Sequence, residues 1–422
     1  MFAKISRVFF SKILVSVLGF FIVILNAKQL GAEGLGVISL IFLCITYNQV
    51  VCGLIGGATL MYLASRKPLL QLLLPSYVWA VVSSLVCTLV LRVLHLIPGG
   101  YATDVFLLSV LQALGTIHLN LFIGLEKIKK YNWINSFQVL IGFAALLFLF
   151  YAVNEKTIRS YLISLYLGFA YVFLASSRVL LPLVKFETAR DWAGSLRTIV
   201  ENSVYIQLAT IIHLMNCRLS YFFLDGYMDK ASLGIYSTAV SIAESLWLIN
   251  RSISVVQFSN VVNSDERRSS QALTLSLAKF SFVLTLFFAV VMLLIPEDFY
   301  VFIFGQRFNA IKHTLFYLLP GIAVVANSSL YVHYYAAIGK NHINTIGSTV
   351  GFVFTLLCCL LLIPRYHLAG AAIGSTVSYL ASALFMIVLF KREAGLRWND
   401  FWIKRTDTGY MASEIKKLFS FG

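Results

Sequence analysis

Apolar runs of about 20 residues recur from one end of this chain to the other, each long enough to cross a hydrocarbon core of roughly 30 Å as a helix. A soluble fold can bury one or two such helices, not a dozen. The charged fraction is 12% and the hydrophobic fraction 59%, against roughly 25% charged in soluble domains. Nowhere does the alternating pattern of a porin-like barrel occur. The expectation is an all-α polytopic membrane protein with twelve transmembrane helices, at about 8–28, 35–63, 70–94, 103–125, 132–153, 159–183, 200–224, 232–258, 272–295, 312–337, 344–363 and 368–390. The first run reaches full membrane length without a small-residue cleavage pattern, so no cleavable leader is expected.

The net charge is +15, and its placement gives an orientation. With the N-terminus in the cytoplasm, 20 of the 33 Lys and Arg fall on the cytoplasmic side and seven opposite; the other six lie in spans or near their ends. That asymmetry follows the positive-inside rule, with both termini inside and an even span count. The basic balance is thereby explained by orientation and anionic lipid. No soluble basic domain is present to host nucleic acid.

Leu35-Gly36-Val37-Ile38-Ser39 opens the second span, and Leu233-Gly234-Ile235-Tyr236-Ser237 repeats the pattern 198 positions later at the eighth. Ile134-Asn135 with Gly142 is echoed 209 positions on by Ile343-Asn344 with Gly351. Six spans precede the polar linker at Lys185 to Thr198 and six follow it. Six is even, so both halves enter from the cytoplasm as parallel repeats, related by a pseudo-two-fold along the membrane normal. The expected division is a six-helix bundle at 1–190, a second at 191–392, and a cytoplasmic tail at 393–422. The tail mixes Trp398, Phe401, Trp402 and Phe419 with Lys and Arg, which suits the membrane interface.

Polar groups inside the spans are the candidate site residues, because intramembrane charges cost roughly 2.5–3.5 kcal/mol and face a cavity or a partner. Span seven carries Asn216 and Arg218. Span eight carries Glu244 and Arg251, seven apart and so expected on one helical face. Span one carries Lys12 and Asn26, and span two carries Asn48. The functional alternative is a water-filled cavity between the halves. There Arg218, Arg251 and Lys12 attract an anionic head group, Asn216, Asn48 and Asn26 serve sugar hydroxyls, and Glu244 binds a coupling cation. The plainer alternative makes Glu244 with Arg218 or Arg251 an ion pair between spans, Lys12 a snorkelling residue and the amides inter-helix glue. His118 and His333 read as packing histidines. Pro320-Gly321, inside span ten, favours a kink and offers a hinge. No nucleotide-binding loop, HExxH or paired-carboxylate pattern occurs. The six cysteines, Cys44, Cys52, Cys87, Cys217, Cys358 and Cys359, lie in apolar runs without metal-ligand spacing. The chain is expected to be no enzyme and to need no cofactor or metal.

Asn216-Cys217-Arg218-Leu219-Ser220, Leu233-Gly234-Ile235-Tyr236-Ser237 and Ala243-Glu244-Ser245-Leu246-Trp247 resemble the bacterial polysaccharide flippases. These are the O-antigen and capsule-repeat translocases of the multidrug/oligosaccharidyl-lipid/polysaccharide superfamily. Leu30-Gly31-Ala32-Glu33-Gly34-Leu35-Gly36 is similar to that family's first periplasmic turn, and the resemblance runs over about residues 1–392. It implies two bundles rocking about a central cationic cavity in the bacterial inner membrane. They move an undecaprenyl-pyrophosphate-linked oligosaccharide to the periplasmic leaflet, driven by an ion gradient of H+ or Na+. Arg218 and Glu244 carry over. The family's acid two residues after the arginine does not, since Ser220 stands there, and Asn250 and Ser259 replace prolines frequent in span eight. A monomer is expected, with a polysaccharide polymerase and a chain-length protein as working partners.

Three other assignments compete. A multidrug-type cation antiporter of the same superfamily would want an acidic cavity, whereas cations outnumber acids in these spans. A peptidoglycan-precursor flippase usually has two further spans. A membrane polysaccharide polymerase or ligase would want a long periplasmic loop with Arg and His.

Overall fold

The computed structural model describes residues 2–184, 192–262 and 266–402. Among them the chain is helical throughout, with no strand. Fourteen α-helices follow in order: α1 Phe2–Gly56, α2 Ala58–Leu63, α3 Leu69–Val93, α4 Ala102–Gly124, α5 Ile128–Leu147, α6 Ile158–Leu180, α7 Trp192–Tyr227, α8 Lys230–Glu244, α9 Trp247–Val262, α10 Arg267–Leu294, α11 Glu297–Phe304, α12 Ile311–Ala337, α13 Asn341–Leu361 and α14 Ile363–Ala394. Among the described residues, ten helical stretches are long and apolar enough to cross a membrane. The protein is a multi-pass membrane protein. Part of the linker, 185–191, and the tail from 403 lie outside the described residues.

Backbone breaks divide the longest helices where the sequence turns polar or glycine-rich. The apolar part of α1, Leu14–Ile55, is 42 residues long, or roughly 63 Å as one rod, twice a hydrocarbon core. At Gly31 the backbone leaves the helical region (φ 69°, ψ −174°), a conformation glycine adopts without a Cβ penalty. The two arms so made correspond to the first two expected spans. In α14 the break falls at His367 (φ 53°, ψ −126°), between the expected spans eleven and twelve.

The helices are inside-out relative to a soluble protein. On α3 the exposed face is Val78, Val82, Leu85, Val86, Leu89 and Val93, while Ser76, Ala80, Ser84 and Thr88 are buried. On α10 Leu286, Phe287, Val290 and Leu294 face outward, while Thr274, Ala278, Ser281 and Thr285 are inside. Lipid is as apolar as leucine, so helices associate through small residues and inter-helix hydrogen bonds rather than through burial of large apolar ones.

The chain divides into two compact units. The first comprises Met1–Leu214, Asp229–Gly234 and Ile303–Arg307. Its core includes Cys52, Leu60, Leu72, Ile117 and Phe122. Trp79 Nε1 donates to the Val51 carbonyl at 3.3 Å and Ser76 Oγ to that of Ile55 at 3.2 Å, joining α3 to α1. The second unit comprises Met215–Met228, Ile235–Phe302 and Phe308–Gly422, around Ala278, Tyr331, Tyr334, Tyr335 and Phe390. Glu393, near the end of α14, pairs with Arg267 at the start of α10 and with Lys340 Nζ (2.8 Å) before α13. That shared carboxylate gathers three helix ends of the second unit.

Candidate functional site

Arg218 on α7 and Glu244 at the end of α8 form a two-pronged ion pair in the second unit. Arg218 Nη1 donates to Glu244 Oε1 and Nη2 to Oε2, both at 2.6 Å. The arginine side chain is 24% exposed and the glutamate 15%, so the pair is largely desolvated yet reachable. Of the two partners the sequence left open for Glu244, the structure places Arg218 against it. The location makes a cation necessary. A carboxylate at a helix C-terminus meets the negative end of the helix dipole, and the planar guanidinium fork offsets this with two parallel charge-assisted bonds.

The helix breaks beside the carboxylate. Amide bonds of the i to i−3 type join Ser245 to Ile242, Leu246 to Ala243, Leu248 to Ser245 and Ile249 to Leu246, each at 3.2 Å. Ser245 Oγ also donates to the Ile242 carbonyl at 2.6 Å, a side-chain bond that competes with regular helix. Over this stretch the chain winds with about three residues per turn. The one-face expectation for Glu244 and Arg251 assumed a continuous α-helix, and the turn between them removes that premise. Arg251 lies on α9 with its side chain exposed, while Glu244 ends α8.

Around Arg218 stand residues that the charge pattern did not single out. The Tyr221 ring lies 5.4 Å from the guanidinium carbon and meets Tyr236 edge-on at 5.6 Å. The Tyr236 hydroxyl bonds to Ser375 Oγ at 2.7 Å and receives Ser220 Oγ at 3.2 Å. Thus Ser220, where the resembling family carries an acid, anchors Tyr236. Trp247 packs edge-on to Tyr379 at 6.4 Å. The available signal was helical spacing: Tyr221 is one turn beyond Arg218.

Asn216 faces a different set of neighbours. Its Oδ1 accepts from Thr355 Oγ1 at 2.6 Å and from Ser378 Oγ at 2.5 Å, and it is 5% exposed. These bonds tie α7 to α13 and α14. Asn48 Nδ2 donates to the Cys44 carbonyl at 3.0 Å and Asn26 Nδ2 to that of Ile22 at 2.9 Å. Both side chains belong to the first unit and are almost wholly buried. Lys12 lies on α1, but its side chain is outside the described residues. The helix is unbroken through Pro320, where Gly321 lets α14 approach: a Cβ there would lie 2.6 Å from Thr376 Cα. Thr376 Oγ1 donates to the Tyr317 carbonyl at 2.5 Å, one turn before the proline. His118 bonds to the Tyr77 hydroxyl and, at 2.7 Å, to Ser176 Oγ, and stacks on Phe173; it joins α3, α4 and α6. Among the described residues, no group of three or more His, Cys, Asp or Glu side chains could hold a metal ion.

No family model and no curated protein matches the sequence. Solved structures do match in fold. A lipid II flippase, MurJ, in an inward closed conformation superposes with a TM-score of 0.73 at 14% identity, over 100% of this chain and 94% of that one. An inward-facing multidrug resistance MATE family transporter of the MOP superfamily gives 0.65 at 12% identity, over 90% and 94%. A MOP superfamily transporter from Pyrococcus furiosus, described as having a binding pocket of reversed polarity, gives 0.63 at 11%, over 93% and 95%. The chain has the fold of the MOP transporters.

Proposed function

We propose that this protein is a flippase for undecaprenyl-pyrophosphate-linked oligosaccharide repeat units. It moves them from the cytoplasmic to the periplasmic leaflet of the bacterial inner membrane by alternating access. The observation that carries the reading is Arg218: a largely buried guanidinium with fork geometry among apolar helices, the donor set that suits a phosphate head group. The MOP fold supports transport, and the GIYS and AESLW segments favour the polysaccharide branch. The reading keeps twelve spans, six in each half: it counts the two arms of Leu14–Ile55 on either side of Gly31 separately and takes the 36-residue α7, which is not among the ten apolar stretches, as a further span. Both termini are then cytoplasmic.

In this reading Arg218 is the primary head-group contact and Arg251 adds cationic attraction, while Asn48 and Asn26, buried and bonded within their own helix, act as packing amides. Asn216 is spent on Thr355 and Ser378 and acts as inter-helix glue. Glu244 is where a coupling H+ or Na+ acts. Pro320-Gly321 is the flexing point of α12. The protein works as a monomer, catalyses no chemistry, and hands its product to a polymerase and a chain-length protein. A second reading, a lipid-linked peptidoglycan precursor as substrate, is favoured by the fold likeness to a lipid II flippase.

The test is made in cells lacking the gene, by extracting lipid-linked intermediates. Intact oligosaccharide units accumulating on the cytoplasmic face, with surface polymer lost, support the first reading. Accumulation of lipid-linked peptidoglycan precursor supports the second. Complete units that reach the periplasmic face and stay unpolymerised overturn both in favour of a polymerase.

A further inference from the structure

We infer that Glu244 is an internal competitor for Arg218: an anionic head group binds by taking the place of the Glu244 carboxylate on the guanidinium fork. This rests on the reading of Arg218 as the head-group contact. It adds that the site is masked in the conformation described here and must be opened by exchange.

Three observations carry it. First, both Nη atoms of Arg218 are committed to Glu244 at 2.6 Å. Nη1 also leans on the Cys217 carbonyl at 3.4 Å and Tyr221 stands at the guanidinium carbon, so the edge made by the two Nη atoms is taken. A phosphate can take that edge, the one made by the two Nη atoms, only if the carboxylate leaves it. Second, Glu244 is the last residue of α8, beside the tight turn at Ser245-Leu246. A carboxylate there can swing out without disturbing a continuous helix, and tight turns inside long helices often mark hinges. Third, the charges close to Glu244 do not replace Arg218. The ionisable groups shown to act with Glu244 are Arg218 and Tyr221 on α7 and Tyr379 on α14, and of these only the arginine is cationic at neutral pH. Displacement leaves the carboxylate without its partner, so anything that neutralises Glu244 favours anion binding. By reciprocity, a cation on Glu244 and an anion on Arg218 strengthen each other.

The experiment measures binding of inorganic pyrophosphate to the detergent-purified full chain and to three variants. If the pair is closed in about nine molecules of ten, removing the competitor tightens apparent affinity about tenfold. Glu244→Gln is therefore expected to bind about tenfold tighter than the parent. Glu244→Asp, whose shorter side chain draws back from the fork, falls between. Arg218→Ala abolishes binding. If the parent binds pyrophosphate through Arg218 but neither Glu244 variant binds more tightly, the masking is overturned and the head-group reading survives. If neither the parent nor any Glu244 variant binds, both fall. Should Glu244→Gln not purify, the Glu244→Asp affinity decides alone, tighter supporting the inference and unchanged or weaker overturning it.

Discussion

Gly36 and Gly234 lie backbone to backbone, and the relation is reciprocal. A Cβ built on Gly36 would stand 3.2 Å from the Gly234 nitrogen and run into the Lys230 carbonyl oxygen. One built on Gly234 would stand 3.0 Å from the Gly36 nitrogen and run into the Ala32 carbonyl oxygen. Lys230 precedes Gly234 by four residues, as Ala32 precedes Gly36, and each pair is separated by 198 positions. The duplicated Leu-Gly-x-x-Ser motif thus marks the crossing of two equivalent helix starts, both within the first compact unit.

Alanine at either glycine is expected to destabilise the protein to a similar degree, by about 1–3 kcal/mol as overpacking commonly does, because the obstacle is backbone and not a side chain that can rotate away. Thermal unfolding of Gly36→Ala and Gly234→Ala in detergent measures it. Tolerance at one position with collapse at the other would contradict a reciprocal crossing.

Why the sequence disclosed some of this and not the rest has physical causes. Span length and charge asymmetry are set by the bilayer, so the helices and the Gly31 and His367 breaks coincide with expected loops. The second echo has unlike surroundings: a Cβ built on Gly142 would lie 3.5 Å from the Ser164 carbonyl oxygen of α6, whereas one built on Gly351 would meet Asn216 Nδ2 of α7 at 2.5 Å and Ser382 of α14 at 3.1 Å. Arg218 and Glu244 were visible because intramembrane charges are rare, but their pairing depends on where α7 and α8 face each other. The turn at Ser245-Leu246 was hidden, since nothing in Ala-Glu-Ser-Leu-Trp contains a glycine or proline. For Asn216 the sequence left sugar contact and inter-helix glue both open; two residues turn a helix through about 200° from Arg218, and its Oδ1 meets Thr355 of α13 and Ser378 of α14.

Removing one member of the Arg218–Glu244 pair should cost more stability than removing both. A single truncation strands a desolvated charge, at up to about 3–5 kcal/mol for a fully buried pair and less here because both side chains retain some exposure. The double variant Arg218→Met with Glu244→Met is expected to recover most of the thermal stability while remaining unable to restore surface polymer in cells. Restored polymer would show that the pair has only a structural role.

Asn216→Leu and Thr355→Val should both lower stability by about 1–3 kcal/mol, because each leaves buried partners unsatisfied. Made together they should lose less than the sum of the single losses, as expected within one hydrogen-bonded network. The measurement is a thermal-unfolding double-mutant cycle. Full additivity would separate the two residues.

The connection from α7 to α8 predicts a pH dependence of its own. Asp229 Oδ1 accepts the Ser232 backbone N–H at 2.7 Å, the arrangement of an N-cap. Hydrogen bonds from Ser232, its side chain first and its backbone second, hold the Asp229 carboxyl below the usual carboxylate range. A lowered folded pKa means that the folded state binds the proton less readily than the unfolded chain. The contribution is complete above the unfolded value of about 3.9 and is lost as pH falls through the folded one. Asp229→Ala should therefore cost about 1 kcal/mol at pH 7, a difference that is flat from pH 7 to 5 and shrinks below about pH 4. Unfolding temperatures of the two proteins between pH 3 and 7 check it. A gap that widened on acidification would mean that the carboxyl is better stabilised protonated, and that its role at the start of α8 is not that of a charged cap.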